Sequence, residues 1–225
     1  MMKIYKVGGC NRDDIMGIKS NDIDYSVEAD SYETMKKYVS QSYKIVYEKP
    51  QYYSIKAKDK DNNLYDFVLC RRDGYYTNDR HPENVIQGNI MDDLSRRDFT
   101  MNSIAINIED GSIIDPYNGI GDIRKRIVKC TGDTHTRLNE DILRLIRAFR
   151  FHIVLDFEID EEIIPYFYDI NYIKRMESIS KERIVSELSK CFSFNSYKTI
   201  KGLSKFPLFS DYLFKNIMTL KPQLL

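Results

Sequence analysis

Val7-Gly8-Gly9-Cys10-Asn11-Arg12-Asp13, followed by Asn21-Asp22-Ile23-Asp24-Tyr25, decides how the first half of this chain folds. An apolar strand runs into a glycine turn, and a second strand returns with two acids. Side chains on a strand alternate between faces, so Asp22 and Asp24 share one face while Ile23 turns to the core. Two carboxylates held that close repel each other unless a cation lies between them, which suits a hard divalent ion. The Gly8-Gly9 pair lets backbone amides approach a phosphate with no Cβ in the way. Strand, glycine turn and acid pair together point to Mg²⁺ and a nucleoside triphosphate. Each half alone is ordinary chemistry: Asp-x-Asp also occurs on solvated edges, and Gly-Gly in any turn.

Around this nucleus, residues 1 to about 125 alternate strand-like and helical segments. Lys3 to Val7 reads as a strand, Arg12 to Met16 as a helix opening on the glycine turn, and Ile23 to Val27 as the acid strand. Ser31 to Ser40 reads as a helix with Ser31 as N-cap and Glu33 in its first turn. Tyr43 to Glu48, Tyr52 to Ala57 and Tyr65 to Leu69 are further strands, rich in Tyr, Ile and Val, with Lys58 to Asn63 as a hairpin. A mixed sheet on one side with helices on the other is an α+β architecture. After Asp133 the pattern turns helical. Ile142, Leu145, Ile146 and Phe149 recur at three- and four-residue steps within a helix over Asn139 to Phe151. Shorter helices are expected over Asp160 to Asp169, Ser180 to Phe192 and Ser196 to Phe206.

Composition narrows the class. With 34 Lys plus Arg against 34 Asp plus Glu in 225 residues, the net charge is zero. The general basic surface that supplies nonspecific nucleic-acid affinity is therefore missing, and polyanion binding must rest on segregated charge. Arg71, Arg72, Arg96, Arg97, Arg144, Arg147 and Arg150 supply such a concentration. Cys10, Cys70, Cys130 and Cys191 are scattered, which supports neither zinc spacing nor a disulfide framework and fits reduced thiols. Cys10 is expected as a small filler and not as a nucleophile. Neither a signal peptide nor an apolar run of ~20 residues is visible, so no membrane partner and a cytoplasmic location are expected. Leu220 to Leu225 carries no cap or compact element, as in a chain that stops mid-domain.

Three further blocks complete the picture. They are Asp93-Leu94-Ser95-Arg96-Arg97-Asp98-Phe99-Thr100-Met101-Asn102-Ser103, Asp115-Pro116-Tyr117-Asn118-Gly119, and Glu140-Asp141-Ile142-Leu143-Arg144-Leu145-Ile146-Arg147-Ala148-Phe149-Arg150. With the opening segment, these blocks in this order resemble the class II tRNA nucleotidyltransferases (CCA-adding enzymes) and the related bacterial poly(A) polymerases. The resemblance runs from about Val7 to Phe151, with a weaker echo at Glu182 to Leu188. It implies a catalytic head with a mixed sheet over residues 1–125. An all-α neck and partial body over 126–225 would then bind nucleotide and RNA.

The expected reaction is addition of C and A residues to the tRNA 3′ end from CTP and ATP, with release of pyrophosphate. A poly(A) polymerase or an enzyme restricted to CC or A addition is the alternative, and a non-catalytic RNA-binding descendant is a different class. Glu48 to Tyr53 lacks the basic-aromatic pattern that would favour poly(A) synthesis. Asp79-Arg80-His81-Pro82 resembles the segment associated with switching from C to A, with His81 a loop residue. Family members continue into further body and tail helices, so this chain reads as a fragment, a minimal enzyme, or a piece completed by a partner.

Site residues follow from chemistry and resemblance together. Asp22 and Asp24 are the expected metal ligands. The resemblance places a third acid at Asp66, which would assist deprotonation or else is a plain hairpin-edge Asp. Gly8, Gly9 and Arg12 would bind triphosphate, the last by charge-assisted hydrogen bonds. Asp13 either orients Arg12 or, the favoured reading, caps a helix. By resemblance Asp93, Arg97, Asp98 and Asn102 meet sugar and phosphates. If the Arg96-Arg97-Asp98 run is extended, neighbouring side chains point opposite ways and only some reach a ligand.

Asp141 and Arg144, three residues apart on one helix, offer acceptors and donors that can read a base edge as a protein template. The alternative is a surface salt bridge worth a few tenths of a kcal/mol. Arg147 and Arg150 are counted with the nucleotide-binding residues. Asp115 to Gly119 looks like the hinge between head and neck.

Overall fold

A computed structural model describes residues 2–20, 22–73 and 85–216 of the chain. The Asp79-Arg80-His81-Pro82 segment and Leu220 to Leu225 lie outside the described residues. Contacts divide the chain into two compact units, Met1–Lys125 and Arg126–Leu225.

In the first unit the strands are β1 (Lys3–Val7), β2 (Ile23–Glu28), β3 (Lys44–Lys49), β4 (Ser54–Lys58), β5 (Leu64–Leu69), β6 (Arg71–Asp73), β7 (Val85–Gln87), β8 (Ala105–Asn107) and β9 (Ile113–Ile114). The helices are α1 (Gly9–Ile15), α2 (Tyr32–Ser42), α3 (Ile90–Ser95) and α4 (Gly119–Lys125). Seven strands form one mixed sheet in the order β3-β4-β5-β2-β1-β8-β9, while β6 and β7 pair separately. Only β2 and β5 run parallel among these neighbours, and that pairing sets Asp24 opposite Asp66.

Strand alternation gives the sheet two different faces. Ile4, Val27, Phe67 and Leu69 turn to one side, where Met35 and Val39 of α2 close a core. Tyr5, Val7 and Cys70 turn to the other, against Ile90 and Leu94 of α3. Helices therefore cover both faces, and the one-sided layering expected from the sequence is corrected. The reason is that β1 and β2 bury side chains of both parities, as central strands do. Asp24, Ser26 and Glu28 share the α3 side, so that face carries the polar chemistry.

Local signals explain the boundaries. Ser31 caps α2 by accepting a hydrogen bond from Thr34 N at 3.1 Å. Asn89 and Asp92 form a reciprocal capping box at the start of α3. The Asp115 to Gly119 turn lies inside the first unit, whose boundary falls after Lys125, so it is not where the units divide. Asp115 accepts from Gly119 N at 2.6 Å and Ile120 N at 3.0 Å, holding the start of α4. A Cβ on Gly119 would lie 2.1 Å from the Thr100 carbonyl oxygen. Gly119→Ala is therefore expected to cost about 1–3 kcal/mol by overpacking. Thermal melting should show it as a Tm lowered by about 2–4 °C per kcal/mol.

The second unit contains α5 (Thr134–Glu140), α6 (Leu143–Leu155), α7 (Ile170–Lys174), α8 (Lys181–Leu203) and α9 (Pro207–Asn216). A two-residue parallel pairing of β10 (Ile127–Val128) with β11 (Glu158–Ile159) accompanies them. Phe149 of α6 packs near Phe206 and Phe209, with ring centroids 6.4 and 5.7 Å away. The expected helix over Asp160 to Asp169 is reduced to one 3₁₀ turn, Ile164–Phe167, because Pro165 has no N–H to extend it. The two helices expected over Ser180 to Phe206 form α8, which kinks at Asn195.

Candidate functional site

The first unit gathers its acids around the glycine turn. Gly8 has φ +81°, a conformation open to glycine. A Cβ there would lie 3.1 Å from Arg97 Nη1 and 3.4 Å from Asp24 Oδ2. The bare glycine thus leaves a cradle between a carboxylate and a guanidinium. Asp24 is half-buried, and burial, followed by the charges of Asp66 and Asp22, raises its carboxyl pKa, while Arg97 and Lys56 pull it back in part. Asp22 is exposed, just ahead of β2. Asp66 sits across from Asp24 and pairs with Lys56 at 3.1 Å.

Among the described residues no three His, Cys, Asp or Glu side chains are gathered closely enough to cage a metal by themselves. The donor set nevertheless fits an ion that takes one or two carboxylates and completes its shell from waters and substrate phosphates. The raised Asp24 pKa marks the same need for a positive partner.

Arg12 lies on α1, which begins at Gly9 and so is entered earlier than the sequence pattern suggested. Its Nε and Nη2 donate to Asp13 Oδ1 at 2.9 and 2.7 Å, and its Nη1 donates to Asn102 Oδ1 at 2.9 Å. Asp13 therefore orients Arg12 and the helix-cap reading is corrected, since Asp13 is inside the helix and not before it. Asn102 in turn donates to Asp98 Oδ1 at 3.1 Å. Buried Asn11, which sequence reasoning passed over, donates to the carbonyls of Lys6 and Ile104 and so ties α1 to the sheet. Cys10 is buried and donates to Val7 O at 3.1 Å; burial raises its thiol pKa.

Asp93 is fully buried and organises both arginines. Arg96 reaches its Oδ1 at 2.6 Å and Arg97 its Oδ2 at 2.9 Å. Ser26 donates to the same carboxylate at 2.8 Å. Burial alone would push the Asp93 carboxyl up, but the Arg97 and Arg96 guanidiniums and the Ser26 hydroxyl hold it well below the usual range. The expectation that the Arg96-Arg97 run is extended fails here. Asp93 is on α3 and Arg96 closes it, so the two arginines fall at helical i+3 and i+4 spacing and converge on one acid.

In the second unit the structure corrects the Asp141–Arg144 geometry. The chain leaves helix at Asp141 (φ −147°, ψ 104°), so α5 and α6 are separate and the pair does not share one helical face. Asp141 Oδ1 accepts from Leu143 N at 3.0 Å, and its Oδ2 lies 3.5 Å from Arg183 Nη2 on α8. Arg144 is buried and donates from Nη1 to Arg137 O at 2.5 Å and to Glu140 Oε2 at 2.7 Å. Glu140 also pairs with Arg137 at 2.7 Å.

Arg147 and Arg150 both approach buried Glu187, at 3.8 and 2.7 Å. The shorter approach lacks hydrogen-bond alignment. Arg183 and Glu187 fall in the Glu182 to Leu188 echo. Their i, i+4 spacing on α8 was the signal that they share one side, from which Glu187 meets Arg147 and Arg150 of α6 and Arg183 reaches Asp141 just ahead of it.

Residues 4–129 match the poly A polymerase head domain family, more than half of this chain, and the chain belongs to that family. The class II tRNA nucleotidyltransferase likeness read from the motifs is thereby established. A CCA-adding enzyme of Oceanobacillus iheyensis is 32% identical over 189 residues, covering 84% of this chain and 45% of that protein. One from Lactococcus lactis subsp. cremoris MG1363 is 30% identical over 223 residues, covering 96% of this chain and 54% of that protein. The chain thus spans about half the length of the curated relatives it matches.

Among solved structures, an apo form of a CCA-adding enzyme superposes with a TM-score of 0.83 at 28% identity, over 96% of this chain and 51% of that one. The Bacillus stearothermophilus CCA-adding enzyme in complex with CTP gives a TM-score of 0.77 at 28% identity, over 92% and 49%. The α+β architecture is shared with both.

Proposed function

We propose that this chain carries the nucleotidyl-transfer centre of an enzyme that adds CCA to the 3′ end of tRNA from CTP and ATP, releasing pyrophosphate. The observation that carries the reading is the Gly8 cradle between Asp24 Oδ2 and Arg97 Nη1. It offers a carboxylate for a cation and a guanidinium for phosphate, with backbone amides between them. The names of the curated relatives, and a structural relative described with CTP, support the substrates.

Asp22 and Asp24 would hold Mg²⁺, which when bound would neutralise triphosphate charge and lower the pKa of the attacking 3′ hydroxyl. Gly8 and Gly9 amides and the Arg12 and Arg97 guanidiniums would bind the phosphates, with Asp13, Asn102 and Asp93 fixing the two arginines. Asp98 acts through Asn102. Asp66 would accept the hydroxyl proton once Lys56 yields its contact. In the second unit Asp141 and Arg144 would meet the base edge, with Arg183 and Glu140 holding them. Arg147 and Arg150 belong with them as Glu187-anchored cations. The Met1–Lys125 unit is accordingly read as catalytic and Arg126–Leu225 as nucleotide and RNA binding, in a cytoplasmic protein.

The test is to incubate the chain with tRNAs lacking A, CA or CCA, each with labelled CTP and ATP. Correct completion of all three supports CCA addition. Runs of A point to a poly(A) polymerase, CC or A alone to a restricted enzyme, and no product on any RNA overturns the reading.

Arg144→Ala checks base selection. A lost bidentate contact is worth ~1–3 kcal/mol, so C-over-A discrimination should fall and the nucleotide KM rise by roughly one to two decades. An unchanged preference with only a lower Tm would make Arg144 the structural partner of Glu140.

A further inference from the structure

The outer face of α8 does not belong to the site above. Its core-facing side is set by Ile184, Leu188, Cys191, Thr199, Gly202 and Leu203, all buried, on both sides of the Asn195 kink. Away from the core stand Lys190, Phe194, Tyr197, Lys201 and Lys205, at steps of four, three, four and four residues. The chain leaves helical geometry at Asn195, so Lys190 and Phe194 stand on the first segment of α8, Tyr197 and Lys201 on the second, and Lys205 just beyond its end. Phe194 is 56% and Tyr197 74% exposed, which is unusual for two aromatic rings on one helix.

Charge on this face is one-sided. From Leu188 to Phe206 the sequence has four lysines and neither Asp nor Glu, in a chain whose total charge is zero. Neither Lys201 nor Lys205 pairs with an acid among the described residues. The acids that approach are already engaged, Glu187 with Lys190, Arg147 and Arg150, and Asp156 with Lys198 and Arg126. Two exposed rings followed by two lysines with no acidic partner among the described residues fit a partner that presents phosphates and flat bases together.

We propose that the exposed surface running from Lys190 to Lys205 is an RNA-binding surface, in which Lys201 and Lys205 contact backbone phosphates and Phe194 and Tyr197 stack on unpaired bases. It rests on the proposed function only for the choice of tRNA as probe. A protein partner would bury the rings but gains nothing from an acid-free lysine row unless it is itself acidic, so RNA is the better fit to charge.

The experiment compares the full chain with Phe194→Ala/Tyr197→Ala and Lys201→Gln/Lys205→Gln double variants. All four side chains are exposed, so folding should persist, and Tm confirms it. Affinity for a tRNA transcript lacking CCA is measured at several salt concentrations, alongside a fully paired acceptor minihelix. Loss of both rings should weaken tRNA binding by about 30-fold or more with little effect on the minihelix. Loss of both lysines should make the salt slope shallower by about 1.4–1.8.

For nucleotide addition the RNA KM should rise with kcat unchanged. Unaltered affinity and slope in both variants overturn the proposal. A change confined to self-association, with RNA affinity intact, also overturns it and assigns the face to a protein contact. If the chain binds RNA through this face yet transfers no nucleotide, the proposed function fails and this surface stands.

Discussion

Asp24→Asn is expected to lower nucleotide incorporation by at least ~10³-fold while leaving the protein as stable as before, or more so. The first half follows from chemistry. Asp24 is the inward member of the carboxylate pair, beside the Gly8 cradle and opposite Asp66. A bound metal is worth several kcal/mol of charge stabilisation, and about 4 kcal/mol corresponds to that factor.

The second half follows from electrostatics. Burial and the charges of Asp66 and Asp22 raise the Asp24 pKa, so the folded state holds this proton more tightly than the unfolded chain does. The group's stabilisation is full below its ordinary pKa of about 4 and is lost as pH rises through the raised folded value. Thermal melts across that window should show the loss in the parent chain and not in the Asn variant. MgCl₂ should restore the parent selectively, by the usual ligand linkage. Equal Mg²⁺ stabilisation of both proteins, or activity within tenfold of the parent, would refute the assignment.

Much of this site was legible because its signals are local. The β1 strand, the Ser31 cap of α2 and the hairpin before β5 each depend on a few adjacent residues. The glycine turn could be read from Gly8-Gly9 themselves, whereas of the two acids only Asp24 lies within β2 and Asp22 stands just ahead of it. What stayed hidden was set by competition between local choices. Ile142, Leu145, Ile146 and Phe149 continue a helical period back through Asp141, yet Asp141 uses its own carboxylate to cap Leu143 N and so ends one helix and begins another. The apolar period describes which face is buried and is silent about such a break.

Asp93 shows the same limit from the other direction. As a letter it sits in an acidic first turn, an ordinary solvated place. Only the packing of α3 on the sheet makes it a buried acid beneath Ser26 of β2, with two arginines folded back onto it. Glu187 likewise gains its meaning from the packing of α8 on α6, not from its neighbours in sequence. Long-range burial turns a charge from decoration into a constraint, and composition cannot display it.

That constraint makes Asp93→Ala the substitution with the largest expected stability loss. Removing the acid leaves the Arg96 and Arg97 side chains, which are mostly buried, without their shared counter-charge, and leaves the Ser26 hydroxyl without its acceptor. Breaking a buried ion pair from one side costs about 3–5 kcal/mol, or a Tm lowered by roughly 6–20 °C at about 2–4 °C per kcal/mol.

The pH dependence has the opposite sign to that of Asp24. The folded Asp93 pKa is depressed, so its contribution is present above the unfolded value of about 4 and is lost as pH falls toward the folded one. The parent should lose stability on acidification below pH ~4 more steeply than Asp93→Asn, which keeps the shape and lacks the titration. Arg97 also borders the Gly8 cradle. Freed from Asp93 it should bind triphosphate less well, so in Asp93→Asn the nucleotide KM should rise more than kcat falls. A Tm within 2 °C of the parent in Asp93→Ala would mean that the arginines are held by something other than this acid.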